Sequence, residues 1–347
     1  MEGKLPFSCD YMKGAHPNIM KRLNDTNLFA TEGYGTDPIC DEAKERIREA
    51  CACPDAQVEF LMGGTQTNAV MIDAFLRPYE GVVSVDTGHI NIHEAGAIEA
   101  TGHKVLARPH KEGKIYADDL YQYLTDFYND ANHEHAVFPG MVYISHPTEF
   151  GTLYSKKELE DLRKVCDEFD IPLYLDGARL AYALACPEND VTLPDLAKLC
   201  DAFYIGGTKC GALLGEAVVV PNPEKIPHLF TIIKQHGGSL AKGRLLGVMF
   251  SELFSNNLYD SIGETAIRTA NKIRRALEEN GYKYYFETPS NQIFIVLDNE
   301  RLAKLGEKVW YEFWDKYDEN STIFRLATSW STEDEEVDAL IEVLKTV

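Results

Sequence analysis

Basic residues are scarce in this sequence. Only 34 Lys and Arg stand against 55 Asp and Glu, for a formal net charge of −21. A surface so negative repels phosphate backbones and anionic headgroups, which excludes nucleic acid and an acidic membrane face as general partners. A local basic pocket for a phosphate or a carboxylate stays compatible with that balance. Long apolar runs are missing as well: none reaches the length of a membrane span, and the opening Met1-Glu-Gly-Lys-Leu-Pro6 has no signal-peptide core. Metal-clip spacing is absent too. Cys51 and Cys53 lie too close together, and no second Cys/His pair answers them. His89 and His93 would share a helical face, but no further ligand stands at usable spacing, so no metal is expected. The eight cysteines, several of them inside apolar segments (Cys166, Cys186, Cys200), read as reduced core residues of a cytoplasmic protein. No internal repeat or low-complexity tract stands out.

The chain that remains is long enough, at 347 residues, to bury a large core in two domains or one large one. Strand and helix patterns alternate through residue 220, which predicts a mostly parallel, three-layer α/β domain. Helices are expected at 38–51, 88–99, 118–130 and 156–169, with buried strands around 58–62, 81–86, 104–107 and 141–145. Beyond residue 245 long helices run to about Asn280. A small α/β unit follows, with strands near 282–286, 292–297 and 322–328 and helices at 300–317 and 332–346. The expected division is an arm and short helix over 1–30, a large domain over 31–245 and a small C-terminal domain over 246–347.

Two stretches carry the chemistry. Cys200 to Val220 reads as a strand, a glycine-rich turn bearing Thr208 and Lys209, and a second strand. A lysine between buried strands is costly unless it is paired, neutralised or used covalently. Ile171-Pro-Leu-Tyr-Leu-Asp-Gly-Ala-Arg-Leu180 is a buried strand ending in a carboxylate, where α/β proteins place their ligands. A pyridine cofactor needs an acid at its ring nitrogen and a lysine at its aldehyde, and Asp176 with Lys209 supplies that pair. The expected cofactor is therefore pyridoxal 5′-phosphate (PLP). Its phosphate needs a seat, and Gly63-Gly-Thr-Gln-Thr-Asn68 joins a strand to a helix start whose free amides and dipole favour an anion. Gly64, Thr65 and Gln66 are the cofactor contacts expected there. That junction lacks the glycine spacing of a nicotinamide-binding fingerprint. His89, just after a strand, is placed to stack on the ring. Arg325 interrupts an apolar strand and should face a carboxylate or a cleft.

These residues resemble a known family, the low-specificity L-threonine aldolases. These are fold-type-I PLP enzymes of the β-eliminating lyase superfamily. The resemblance runs from Asp10 to the Trp330 region. It rests on Tyr34-Gly-x-Asp-Pro38, Asp176-Gly-Ala-Arg179, Gly207-Thr-Lys-x-Gly211 with Gly215, and Arg325-x-x-x-Ser-Trp330. It implies that Lys209 bonds the cofactor aldehyde, Asp176 pairs with the ring nitrogen, and His89 stacks on the ring. Gly64, Thr65 and Thr208 would hold the phosphate, joined by Lys242 or Arg244 of a neighbouring subunit. Arg179 and Arg325 would clamp the substrate carboxylate, and Tyr34 would line the site or that of a partner. A homodimer or homotetramer with shared sites is implied, as is cleavage of L-threonine or L-allo-threonine to glycine and acetaldehyde. The sequence departs from the family twice. The arm serine that helps hold the carboxylate aligns with Cys9, with Ser8 adjacent, and the histidine near the substrate hydroxyl aligns with Thr148. Other reactions on the same fold (β-elimination, transamination, racemisation) stay open, and so does a non-catalytic binding protein.

Overall fold

The computed structural model describes residues 3–347. Its centre is a seven-stranded sheet. In chain order its strands are β2 (Gln57–Leu61), β3 (Glu80–Val85), β4 (Lys104–Arg108), β5 (Phe138–Ser145), β6 (Leu173–Asp176), β7 (Ala202–Gly206) and β8 (Glu216–Val220). A short β1 (Leu5–Pro6) precedes them. The spatial order is β2-β8-β7-β6-β5-β3-β4, parallel throughout except for β8, which runs antiparallel to both its neighbours. Helices cover both faces, giving the three-layer α/β/α architecture that the strand–helix alternation predicts.

The inner strands of the sheet are buried on both sides and largely apolar, and their side chains alternate between two cores. Phe203 and Ile205 of β7 point into one hydrophobic cluster, Ala202 and Tyr204 into the other. A third cluster belongs to a four-stranded antiparallel sheet of order β12-β13-β10-β9. Its strands are β9 (Lys283–Phe286), β10 (Gln292–Asp298), β12 (Glu312–Lys316) and β13 (Ser321–Ala327), with the two-residue β11 (Val309–Trp310) just before β12. The long helix Leu258–Glu279 packs beside this sheet through Ala270, Ile273 and Leu277.

The N-terminal arm ties the small sheet to the large one. β1 pairs in parallel with β11, the Ala327 amide donates to the Phe7 carbonyl at 2.8 Å, and the His16 amide donates to the Gly211 carbonyl at 2.8 Å. Phe7 is fully buried in the third cluster. Burial of such a ring stabilises by about 1.5–3 kcal/mol, enough to hold a short arm in place.

Two expected helices differ from what the chain does. The helix expected over 300–317 ends at Lys308, and residues 309–316 become β11 and the edge strand β12. Gly306 weakens its last turn, and the run of Val309, Trp310, Tyr311, Phe313 and Trp314 is β-branched and aromatic, which favours a strand. The helix expected over 88–99 is broken into His89–Ile92 and Ala97–Ala100. Ala95 and Gly96 adopt left-handed φ of 52° and 74° between the two pieces. Most other boundaries fall within a few residues of expectation.

Candidate active site

The parallel strands β5 and β6 and the hairpin between β7 and β8 end at one cavity of about 490 Å³. Asp176, the last residue of β6, forms its floor. It is buried, and four neutral donors converge on it. Tyr204 Oη and the Ala178 amide reach Oδ1 at 2.5 and 3.0 Å, while Tyr143 Oη and Asn68 Nδ2 reach Oδ2 at 2.7 and 3.1 Å. Burial alone would raise its pKa. The charge of His89 and the tyrosine and amide donors overcome that, and the carboxyl is held below its ordinary value. Gly177 is required at the next position, because a Cβ there would run into the Tyr204 carbonyl.

Lys209 lies across the cavity on the turn that joins β7 to β8. That turn is fastened by amides of Gly207 and Thr208 donating to the Gly215 carbonyl at 3.0 Å each, and by the Gly215 amide on Thr208 Oγ1 at 2.9 Å. Gly215, at φ +109°, takes a backbone form that a side chain would strain. Burial and the nearby Arg179 charge lower the pKa of Lys209, against the pull of Asp10, Asp176 and Glu216. That shift favours the neutral amine, the form that can act as a nucleophile.

At the other end of the floor the helix Gly64–Phe75 begins with no side chain capping its first turn. Its free amides are open to an anion, and Gly63, Gly64, Thr65 and Thr208 all line the cavity. Gln66 is a correction. Its side chain turns back to accept from the Met62 amide at 3.2 Å and donates to the His236 carbonyl at 3.3 Å, which is what a residue in the first helical turn does with an orphan donor. His89 lines the cavity with Nδ1 held 2.7 Å from Oε1 of buried Glu94. The break in the helix swings Glu94 back to it, and Asn68 Nδ2 fixes the same carboxylate oxygen at 2.7 Å.

The arginines are unequally engaged. Arg179 is locked on Asp10 through Nε at 2.6 Å and Nη2 at 3.1 Å. That pairing holds the Asp10 carboxyl well below the carboxylate range, against the cost of its burial. Arg325, only 6 % exposed, donates to Gln292 Oε1 at 2.8 Å and to the Ser8 carbonyl at 3.4 Å, and it contacts Glu312. Its Nε is buried without a partner. Trp314 sits with its ring centroid 5.7 Å from the guanidinium. Thr148 lines the cavity, but its hydroxyl is shared with Thr152 Oγ1 at 2.7 Å.

Four other sequence candidates lie off the cavity of their own chain. Ser8 directs its hydroxyl to Met12 Sδ at 3.3 Å, on the far side of the extended arm, and Tyr11 lines the cavity instead. Tyr34 stands half-exposed with Lys234 Nζ 4.2 Å over its ring. Arg244 donates to the carbonyls of Phe29 and Asn27 at 3.1 and 2.9 Å, and Lys242 is exposed. Sequence reasoning missed Tyr143, Tyr204, Glu94, Glu149, Glu216, Glu312 and Trp314. The tyrosines left a trace: Tyr143, Tyr174 and Tyr204 each stand two residues before the end of their strand. No group of three or more His, Cys, Asp and Glu suited to a metal occurs among the described residues.

The arrangement fits a PLP-type ring on the evidence of its own atoms. The buried Asp176 carboxylate has four neutral donors bonded to it and no cation in direct contact, and a protonated pyridine nitrogen is such a cation. An uncapped helix start offers the anion seat, and a buried lysine faces both.

Comparison with known proteins agrees. A family model described as beta-eliminating lyase matches residues 10–300. A low-specificity L-threonine aldolase of Pseudomonas aeruginosa is 25% identical over 98% of this chain and 97% of that protein. A solved threonine aldolase of Leishmania major is 42% identical with a TM-score of 0.95, covering 98% of each chain. An aspartate aminotransferase of Thermus thermophilus, 14% identical with a TM-score of 0.74, shares the fold over 99% of this chain and 91% of that one.

Proposed function

The chain belongs to the beta-eliminating lyase family, and from that premise we propose that it cleaves L-threonine and L-allo-threonine to glycine and acetaldehyde. The observation that carries the proposal is the meeting of Lys209, Asp176 and the uncapped helix start in one cavity. PLP is the cofactor, and when bound it supplies an electrophilic aldehyde and a ring that accepts electrons as the substrate's Cα–Cβ bond breaks.

The chain's own residues do the rest. Lys209, its pKa lowered by burial and by Arg179, is the amine that carries the cofactor. Asp176 would hold a proton on the ring nitrogen, and His89, fixed by Glu94, would cover the ring. Gly64, Thr65 and Thr208 would take the phosphate. Arg325 would bind the substrate carboxylate, with Arg179 beside it held by Asp10, and so fix the substrate's orientation. Burial lowers the pKa of His93, which leaves its imidazole neutral near pH 7 and able to accept the β-hydroxyl proton, directly or through water. Loss of Arg325 removes a charge-assisted pair, so Arg325→Ala is expected to raise KM for amino-acid substrates about 10- to 100-fold. Unchanged KM and kcat would make Arg325 structural.

The two threonine diastereomers differ in where the β-hydroxyl points. Strong discrimination needs a polar group that is satisfied by one isomer and left unpaired by the other. Thr148 is a weak anchor for that purpose, because Thr152 Oγ1 gives its proton to the Glu112 carbonyl and so takes the Thr148 proton, leaving Thr148 only as an acceptor. A coupled acetaldehyde assay is therefore expected to give kcat/KM for the two isomers within about tenfold, roughly 1.4 kcal/mol. A preference near a hundredfold, or no acetaldehyde from either, would count against this reading.

The proposal extends to a homodimer or homotetramer with shared sites. Residues 27–34 and 234–244 form one continuous surface, joined by Arg244 and by the Tyr34 amide on the Ala241 carbonyl at 3.3 Å. That surface exposes Leu28, Phe29 and Tyr34 beside Lys234 and Lys242, an apolar and basic patch suited to meeting a partner's phosphate end. A cytoplasmic setting belongs to the same reading, supported by eight free cysteines, most of them buried. No helix among the described residues is long and apolar enough to cross a membrane.

A further inference from the structure

Glu216 is a buried carboxyl group to which nothing above assigns a task. It is 3 % exposed and heads β8, in register with Leu61 at the end of β2 and with Gly206 at the end of β7. Both neighbouring strands run on into the glycine turns of the phosphate seat, Gly63–Thr65 on one side and Gly207–Lys209 on the other. Glu216 therefore stands between them. It lines the cavity, and its Oε2 accepts from the Gly207 amide at 3.0 Å. An ionised carboxylate here would add a second negative charge to the phosphate seat, and like charges so close disfavour each other strongly.

We propose that Glu216 closes the phosphate seat as a carboxylic acid, donating its proton to a phosphate oxygen, so that binding the phosphate ester takes up a proton. The proposal rests on the PLP reading above. The groups that face Glu216 are Lys209 and Cys210 from its own hairpin, Asp176 and Tyr174 from β6, Tyr204 from β7 and Tyr259 from the helix Leu258–Glu279. On β2 the nearest charge, Glu59, is tied to Lys44. Burial pushes Glu216 up to about 7, against the Thr208 hydroxyl, the Gly207 amide and the Lys209 charge. The proton is thus shed and regained near neutrality. A group that binds ligand only when protonated supports full affinity below its own pKa, and that affinity declines as pH rises through it.

Pyridoxine 5′-phosphate is the probe, because it has no aldehyde for Lys209 and so isolates the phosphate seat. Calorimetry of the cofactor-free full chain at about pH 8, in buffers of different ionisation heat, is expected to show about one proton taken up per ligand. Glu216→Gln and Glu216→Ala should both take up about one proton fewer than wild type. Between about pH 7 and pH 8.5 the wild-type affinity should fall about tenfold more than that of Glu216→Gln. Equal proton uptake in wild type and variants would overturn the proposal and leave the functional reading intact, making Glu216 an ionised counter-charge to Lys209. No binding of the ester by any of the three proteins would sink both.

Discussion

Lys209→Ala is expected to abolish turnover, by about 10⁴-fold or more, equivalent to roughly 5.4 kcal/mol of lost transition-state stabilisation. The visible absorbance of lysine-bound cofactor should vanish with it. The fold should survive, because what fastens the turn is backbone: the Lys209 carbonyl still accepts from Tyr182 Oη at 2.5 Å, and the Gly207 and Thr208 amides still reach Gly215. Removing an amine whose burial costs free energy does not weaken the core around it. Cofactor content after borohydride reduction, read with a thermal melt, checks all three expectations. A variant that still fixes cofactor to another lysine would show the assignment to be wrong.

Asp176→Asn is the second large effect. An amide cannot balance a protonated ring nitrogen, so kcat is expected to fall about 10³-fold or more, some 4 kcal/mol. The change also disturbs the floor. On Oδ2 the carboxylate accepts from both Tyr143 Oη and Asn68 Nδ2, and on Oδ1 from Tyr204 Oη and the Ala178 amide. An asparagine presents an NH₂ to one of those pairs. Tyrosine hydroxyls can turn to accept, but the Ala178 amide cannot, so the amide group should settle with its NH₂ towards Tyr143 and Asn68. There one of the two Asn68 N–H groups is left without an acceptor, the other staying on Glu94, at a cost of about 1–3 kcal/mol. A modest loss of thermal stability should therefore accompany the loss of rate, with cofactor still retained. Near-normal activity would contradict the pairing with the ring.

Lys209 and Asp176 were legible because each stands at a junction where an apolar strand stops and a glycine turn begins. Such junctions are the punctuation that local sequence carries. The tyrosines of the floor were not, since inside a strand buried on both faces an inward Tyr looks like any other large core residue. Only their placement on adjacent strands, Tyr143 abreast of Tyr174 and Tyr204 beside Asp176, turns them into donors, and strand order is not written locally. Glu94 was hidden by the assumption that one helix ran through 88–99, which would have pointed it away from His89. Glu312 and Trp314 were hidden in the same way behind a helix that the chain gives up at Lys308. Residues such as Tyr34, Lys242 and Arg244 raise a different difficulty, because a single chain's pattern does not say whether a second copy meets them.

The arm has a consequence for the order in which the protein can be made. Its contacts span nearly the whole chain: β1 waits for β11, Phe7 for Ala327, and Asp10 for both Arg179 and Asn291 Nδ2 at 2.9 Å. The arm leaves the ribosome well before these partners and is thus fastened after them. During synthesis the large sheet has all its strands by residue 220 and can condense with the lysine turn already in place. The small sheet and the arm must follow, and closing loops of some three hundred residues is slow. A nascent chain halted before residue 309 would carry Lys209 and Asp176 on a formed floor, yet with Arg325 missing and Asp10 unanchored by β11. Such a chain would have the means to hold a cofactor before it had the means to grip a substrate.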